Sequence, residues 1–109
     1  MYATHMTDKR IAQIDQRIEK IKTALVALGE MRPGSLTRQF KDPEAGTGAY
    51  YQLSFTLEMK SRTDYIPRQC VAQIRRQVAN YKRFKALSAE WVALGIERSR
   101  LQIKLARND

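Results

Sequence analysis

The chain has 109 residues, 43% of them hydrophobic and 28% charged, which is the composition of a folding chain and excludes a disordered one. Twenty Lys and Arg against eleven Asp and Glu leave a net charge of +9, which attracts anions over a Debye length. A single cysteine, Cys70, excludes an internal disulfide. No apolar run nears the roughly 20 residues that span a bilayer.

The expected fold is α+β: two long amphipathic, coiled-coil-like helices flanking a small antiparallel β-hairpin or three-stranded sheet. Residues 1–6 read as a disordered start or tag remnant, with Met6 an alternative to Met1 as initiator. One domain is expected over residues 7–109. Thr7 suits a helix N-cap and Asp8 the positive end of the helix dipole. Ile11, Ile14, Ile18, Ile21, Leu25 and Leu28 then recur at alternating spacings of three and four, a narrow seam of 3.5-residue period. Pro33-Gly34 breaks the pattern, so the first helix is expected over about 7–31.

The sheet is expected over about 35–66. Leu36, Arg38 and Phe40 alternate as in a short strand, and Lys41–Gly48, with Pro43, Gly46 and Gly48, reads as a mobile, metal-free loop. Ala49–Leu57 is the clearest strand, with Tyr51, Leu53, Phe55 and Leu57 on one face. Glu58-Met59-Lys60 turns the chain into a returning strand at Ser61–Ile66. Pro67 suits the first turn of a second helix, expected to run to about 106. Its seam is Val71, Ile74, Val78 and Tyr81, and a heptad resumes at Trp91, Leu94, Leu101 and Leu105 with Arg98 between them. Either this helix or a second copy of the chain is expected to pair antiparallel with the first.

Catalytic chemistry is hard to assemble from these residues. The sole histidine, His5, lies in the expected disordered start, and Cys70 reads as a small side chain near the sheet. One Cys and one remote His build no zinc site. Gly46-Thr47-Gly48 lacks the Lys-Ser/Thr of a phosphate loop. No enzyme, cofactor or metal is expected.

The charge is unevenly placed. Residues 60–87 hold eight cations against Asp64 alone, net +7, while the segments before and after them are nearly neutral. On a continuous helix Arg68, Arg75 and Lys82 stack in one row and Arg76 and Arg83 in the next, beside the apolar seam. Lys60 and Arg62 follow the hairpin turn. The expected nucleic-acid-binding residues are therefore Lys60, Arg62, Arg68, Arg75, Arg76, Lys82 and Arg83, meeting phosphates. Arg98, Arg100, Lys104 and Arg107 read as balanced by nearby acids. Tyr50, Tyr51 and Tyr65 add aromatic surface for stacking on unpaired bases, with core packing the stronger expectation for Tyr51.

Four runs carry a resemblance: Pro33-Gly34-Ser35-Leu36-Thr37-Arg38, Gly48-Ala49-Tyr50-Tyr51-Gln52-Leu53-Ser54, Lys60-Ser61-Arg62-Thr63-Asp64-Tyr65-Ile66-Pro67, and Asn80-Tyr81-Lys82-Arg83-Phe84. Together they resemble a family of small bacterial and archaeal proteins of unknown function with PGSL…R, GPYYxLS, KxRSxYVP and xNYRRF motifs. The resemblance covers about residues 33–87. Many members hold a cysteine cluster where this chain has Lys41–Thr47, so no metal role carries over. It implies an association with mobile elements. The hairpin is also similar to the arm-binding sheet of tyrosine recombinases, which implies DNA.

The function expected is a cytoplasmic, non-enzymatic nucleic-acid-binding accessory protein, with DNA preferred over RNA, acting as a homo-oligomer or a subunit of a nucleoprotein complex or mobile-element regulator. The alternatives are a coiled-coil structural adaptor for an acidic protein partner and a phage or plasmid inhibitor protein.

Overall fold

Alternation in the sequence becomes pairing in the computed structural model, which describes the backbone of residues 2–107 and the side chains of residues 5–107. The fold is α+β. Its elements are α1 (Tyr2–Ala27), β1 (Ser35–Asp42), β2 (Thr47–Leu57), β3 (Lys60–Ile66), a 3₁₀ turn (Arg68–Cys70) and α2 (Val71–Arg107). The strands form one antiparallel sheet in the order β1-β2-β3. No helix among the described residues is long and apolar enough to cross a membrane.

The chain divides into two compact units. One is Gly29–Arg83; the other joins the residues up to Leu28 with those from Phe84 onward. Helix α2 supplies its first thirteen residues, by the boundary at Arg83, to the sheet unit and the rest to the helical unit.

In the sheet unit, Leu36 faces Leu53 and Leu53 faces Asp64, while Arg38 faces Tyr51 and Tyr51 faces Ile66. Directly paired residues share a face, so the apolar face of β2 collects Leu36 and Ile66 around Leu53. Leu53, Ile66 and Val78 form the buried core, with Leu36, Tyr51, Cys70, Val71 and Ile74 packed against it. The first α2 seam is thus a core stripe covering the sheet. Arg32 fixes the entry to β1: its backbone N–H donates to the Gln77 carbonyl at 3.2 Å, its guanidinium to Asp64 at 2.9 Å, and it lies 4.8 Å over the Phe55 ring.

One connection differs from the sequence expectation and one falls where it was expected. Lys41–Gly48 is not a long loop: Asp42 pairs with Thr47, leaving four residues between the strands. The Asp42 carboxylate accepts from the Ala45 N–H at 3.2 Å, and Gly46 takes φ +65°, so a side-chain turn closes what composition presents as a loop. The second connection is Glu58-Met59, with φ of 52° and 64° between the paired Leu57 and Lys60. Positive φ at both central residues matches the twist of the strands but favours Asn-Gly. Glu58→Asn with Met59→Gly should therefore raise stability by about 1 kcal/mol, read as a higher urea midpoint at unchanged m-value. A fall in midpoint would show the left-handed pair to be unstrained.

In the helical unit α1 begins at Tyr2, before the expected Thr7 cap, and Thr7 is buried within it. Ile14, Ile21 and Leu87 are buried. Arg10 donates to both Glu97 carboxylate oxygens at 2.6 and 2.8 Å and Arg17 to both of Glu90 at 2.6 and 2.7 Å, so residue numbers rise along α1 as they fall along α2 and the helices run antiparallel. Arg98 stands in the seam because it pairs with Asp15, at 2.6 and 3.2 Å. Hydrogen bonds from Arg10 hold the Glu97 carboxyl below its ordinary range, and those from Arg98 do the same for Asp15, outweighing desolvation. A lowered native pKa contributes stability above the unfolded value, near 4, and loses it as pH falls through the folded value. The melting temperature should therefore decline modestly below about pH 4, these pairs being water-exposed. In the Asp15→Asn, Glu97→Gln variant this acid-side decline should shrink; an unchanged decline would remove the pairs from the account.

Candidate nucleic-acid interface

The cations of residues 60–83 occupy three places. Arg75 and Lys82 share a row on α2 and line one hollow of about 320 Å³ with Gly34, Ser35 and Leu36. Arg76 and Arg83 form the neighbouring row, about 100° round the helix, and Arg76 borders another hollow of about 270 Å³ with Gly29, Glu30 and Asn80. All four are exposed, while Val78 between the rows and the sheet is buried. The helix therefore divides cleanly into an apolar side on the sheet and a cationic side in water.

Lys60 and Arg62 stand elsewhere. Both are exposed, and they face Leu57 and the half-buried Phe55 across the hairpin, at the opposite end of β3 from Ile66. Lys60 and Ile66 are six residue steps apart along the strand, about 20 Å. Arg68 lies beyond that far end, in the 3₁₀ turn and not in α2. Its expected α-helical stacking on Arg75 is thus not observed, because Pro67 starts a tighter turn before the α-helix begins.

Acid is scarce across this surface. Glu30 shares the hollow beside Arg76, where its carboxylate accepts from the Gln77 amide at 3.3 Å. Asp64, the one carboxylate between residues 60 and 89, is engaged by Arg32. Among the described residues none of Lys60, Arg62, Arg68, Arg75, Arg76, Lys82 and Arg83 forms a salt bridge. In the helical unit, Arg10, Arg17 and Arg98 are each bound to a carboxylate. Of Arg98, Arg100, Lys104 and Arg107, Arg98 alone forms a salt bridge among the described residues. The other three line a hollow with Ile103 and form no salt bridge among the described residues, where Glu90 and Glu97 are held by Arg17 and Arg10 of α1.

Arg68 instead joins Arg38 at a recess of about 190 Å³ bounded by Tyr50, Tyr51 and Tyr65, with Ala49 and Ile66 completing the wall. It opens where β3 stops: the last β2–β3 pair is Tyr51 with Ile66, so β2 continues past its partner. Arg38 is exposed and held 5.0 Å over the Phe40 ring. Arg38 was not among the residues expected to bind nucleic acid. The available signal was its place between Leu36 and Phe40, a charge on the apolar face of a strand. Tyr65 is 67% exposed, unusual for so large a ring.

No cluster of three or more His, Cys, Asp or Glu that could hold a metal occurs among the described residues. Cys70 packs beside the core of the sheet unit. Compared with models of protein families, with curated proteins and with solved structures, the chain matches none.

Proposed function

We propose that the sheet unit binds the phosphate backbone of nucleic acid without catalysing a reaction, as an accessory subunit of a nucleoprotein complex. One observation carries this reading: seven cations stand within residues 60–83, and the single carboxylate of that stretch is already bound by Arg32. A solvated helix flank interleaves Glu with Lys or Arg; this one leaves α2 with uncompensated charge along two turns. Such a surface gains by releasing the counterions of a polyanion. The basic β2–β3 ribbon supports DNA over RNA, because the B-form major groove admits a two-stranded ribbon and the A-form groove is too narrow.

The test is fluorescence anisotropy of labelled duplex and single-stranded DNA and RNA titrated with the whole chain at low salt. Binding at about 1 μM or tighter is expected at about 50 mM salt. Absence of binding to all of them would end this reading.

A second reading, a coiled-coil adaptor that assembles copies of the chain, has its own support. Val92, Ile96 and Ile103 are 63%, 48% and 50% exposed on α2, at helical spacings that align them in one stripe. Light scattering distinguishes the two: a concentration-dependent dimer lost in Ile96→Glu supports the adaptor, and the two functions coexist if binding survives that change.

A further inference from the structure

The recess at the end of β3 is built for more than a phosphate. Arg38 and Arg68 both line a cavity whose lining holds no carboxylate, and neither forms a salt bridge with a described residue; the Arg38 guanidinium lies 5.0 Å over Phe40, the next residue on the same face of β1. Like charges converging on one hollow favour an anion there. Around them stand three phenol rings reaching from both faces of the sheet. Tyr65 is paired with Gln52, so Tyr50, two residues along β2, is its diagonal neighbour on the same face; Tyr51 is on the other face, opposite Ile66. Aromatic rings beside guanidiniums form a surface on which a base stacks while its phosphate is held. The volume, about 190 Å³, corresponds to roughly six waters. That admits one ring system and excludes a base pair.

Three runs separated in sequence supply this lining: Arg38 from the first, Tyr50 and Tyr51 from the second, Tyr65 from the third. Arg68 stands in the turn just before α2, and Arg75 and Lys82 follow on that helix at a separate hollow. A strand whose base enters the recess can lay its backbone towards that row.

We propose that this recess binds one unpaired nucleotide, its base against Tyr50 and Tyr65 and its phosphate on Arg38 and Arg68. The chain would accordingly prefer nucleic acid with a single-stranded end or gap over a continuous duplex. The proposal rests on the nucleic-acid reading above and adds to it a structural preference of the ligand. A paired base cannot enter, since its ring is stacked within the helix.

The experiment compares a blunt DNA duplex with the same duplex carrying a short single-stranded overhang, by anisotropy with the whole chain at low salt. The overhang should tighten binding about fivefold or more, the worth of one base on an aromatic ring. Tyr65→Ala and Arg38→Ala should each abolish that gain and leave blunt-duplex affinity within about twofold, while Tyr65→Phe should keep it. Tyr65 is mostly exposed, so its removal leaves the core intact. Equal affinity for both probes overturns the recess proposal and leaves the phosphate-binding reading standing. Equal losses on both probes in Tyr65→Ala overturn it as well. Binding to neither probe, nor to single strands, overturns both.

Discussion

Gly34→Ala is expected to destabilise the chain by about 3 kcal/mol, the largest effect of any single methyl addition in the sheet unit. Gly34 has φ +145°, which L side chains rarely adopt, and an added Cβ would stand 2.7 Å from Leu53 Cδ1 and 2.8 Å from its Cγ. Leu53 is fully buried and is the centre of the core, so it cannot swing aside. Backbone strain of about 1–2 kcal/mol adds to overpacking of about 1–3 kcal/mol. Urea denaturation followed by far-ultraviolet circular dichroism measures it. Leu53→Ala alone should cost about 2–5 kcal/mol. The double variant should lose at least about 1 kcal/mol less than the two separate losses combined, because the cavity accepts the new methyl. Strict additivity would show that the two positions do not collide.

Arg75→Glu with Arg76→Glu should weaken duplex binding at least tenfold and by the same factor on unrelated sequences, since phosphate contacts carry no sequence information. One substitution lies in each cationic row of α2, so the pair disrupts both. Both side chains are exposed and without salt bridges, and the fold should survive: the melting temperature is expected within a few degrees of the parent. The charge-matched control, Lys9→Glu with Lys20→Glu on α1, lowers the net charge equally but lies in the other unit. Its effect should be several-fold smaller. Equal losses in the two variants would make the attraction a matter of net charge alone.

Much of the fold was legible because its signals are local. Alternation from Tyr51 to Leu57 set the face of the central strand, and the Val71, Ile74, Val78 spacing set the side of α2 that covers it. What sequence misplaced depended on contacts between distant residues or on strained backbone. The Asp42 carboxylate turns an apparent loop into a four-residue connection. Glu58-Met59 turns the chain where expected, and only the left-handed backbone of both residues was unannounced by their chemistry. Pro67 produces a 3₁₀ turn that removes Arg68 from its expected row. The seam of residues 11–28 was visible as a seam; that its partner lies in the same chain is visible only in the Arg10, Arg17 and Arg98 pairs.

The candidate site divides in the same way. Charge counting found the cationic side of α2 directly, since Arg75, Arg76, Lys82 and Arg83 are close in sequence and helical geometry does the rest. The recess could not be counted. Its arginines are thirty residues apart, and what brings Arg38 to Arg68 is the register that places Arg38 beside Tyr51 and Tyr51 beside Ile66. The sequence also offered no way to know that Asp64 is engaged by Arg32, the contact that leaves seven cations uncompensated.

The central claim is that the α2 rows meet phosphates, and the dependence of duplex affinity on salt tests it most directly. With about four phosphates neutralised, one for each cation of the two rows, log K should fall against log salt with a slope of roughly −3 to −4, and Arg75→Glu with Arg76→Glu should make it shallower by about 2. A slope near zero, or one that the double reversal leaves unchanged, would contradict the account.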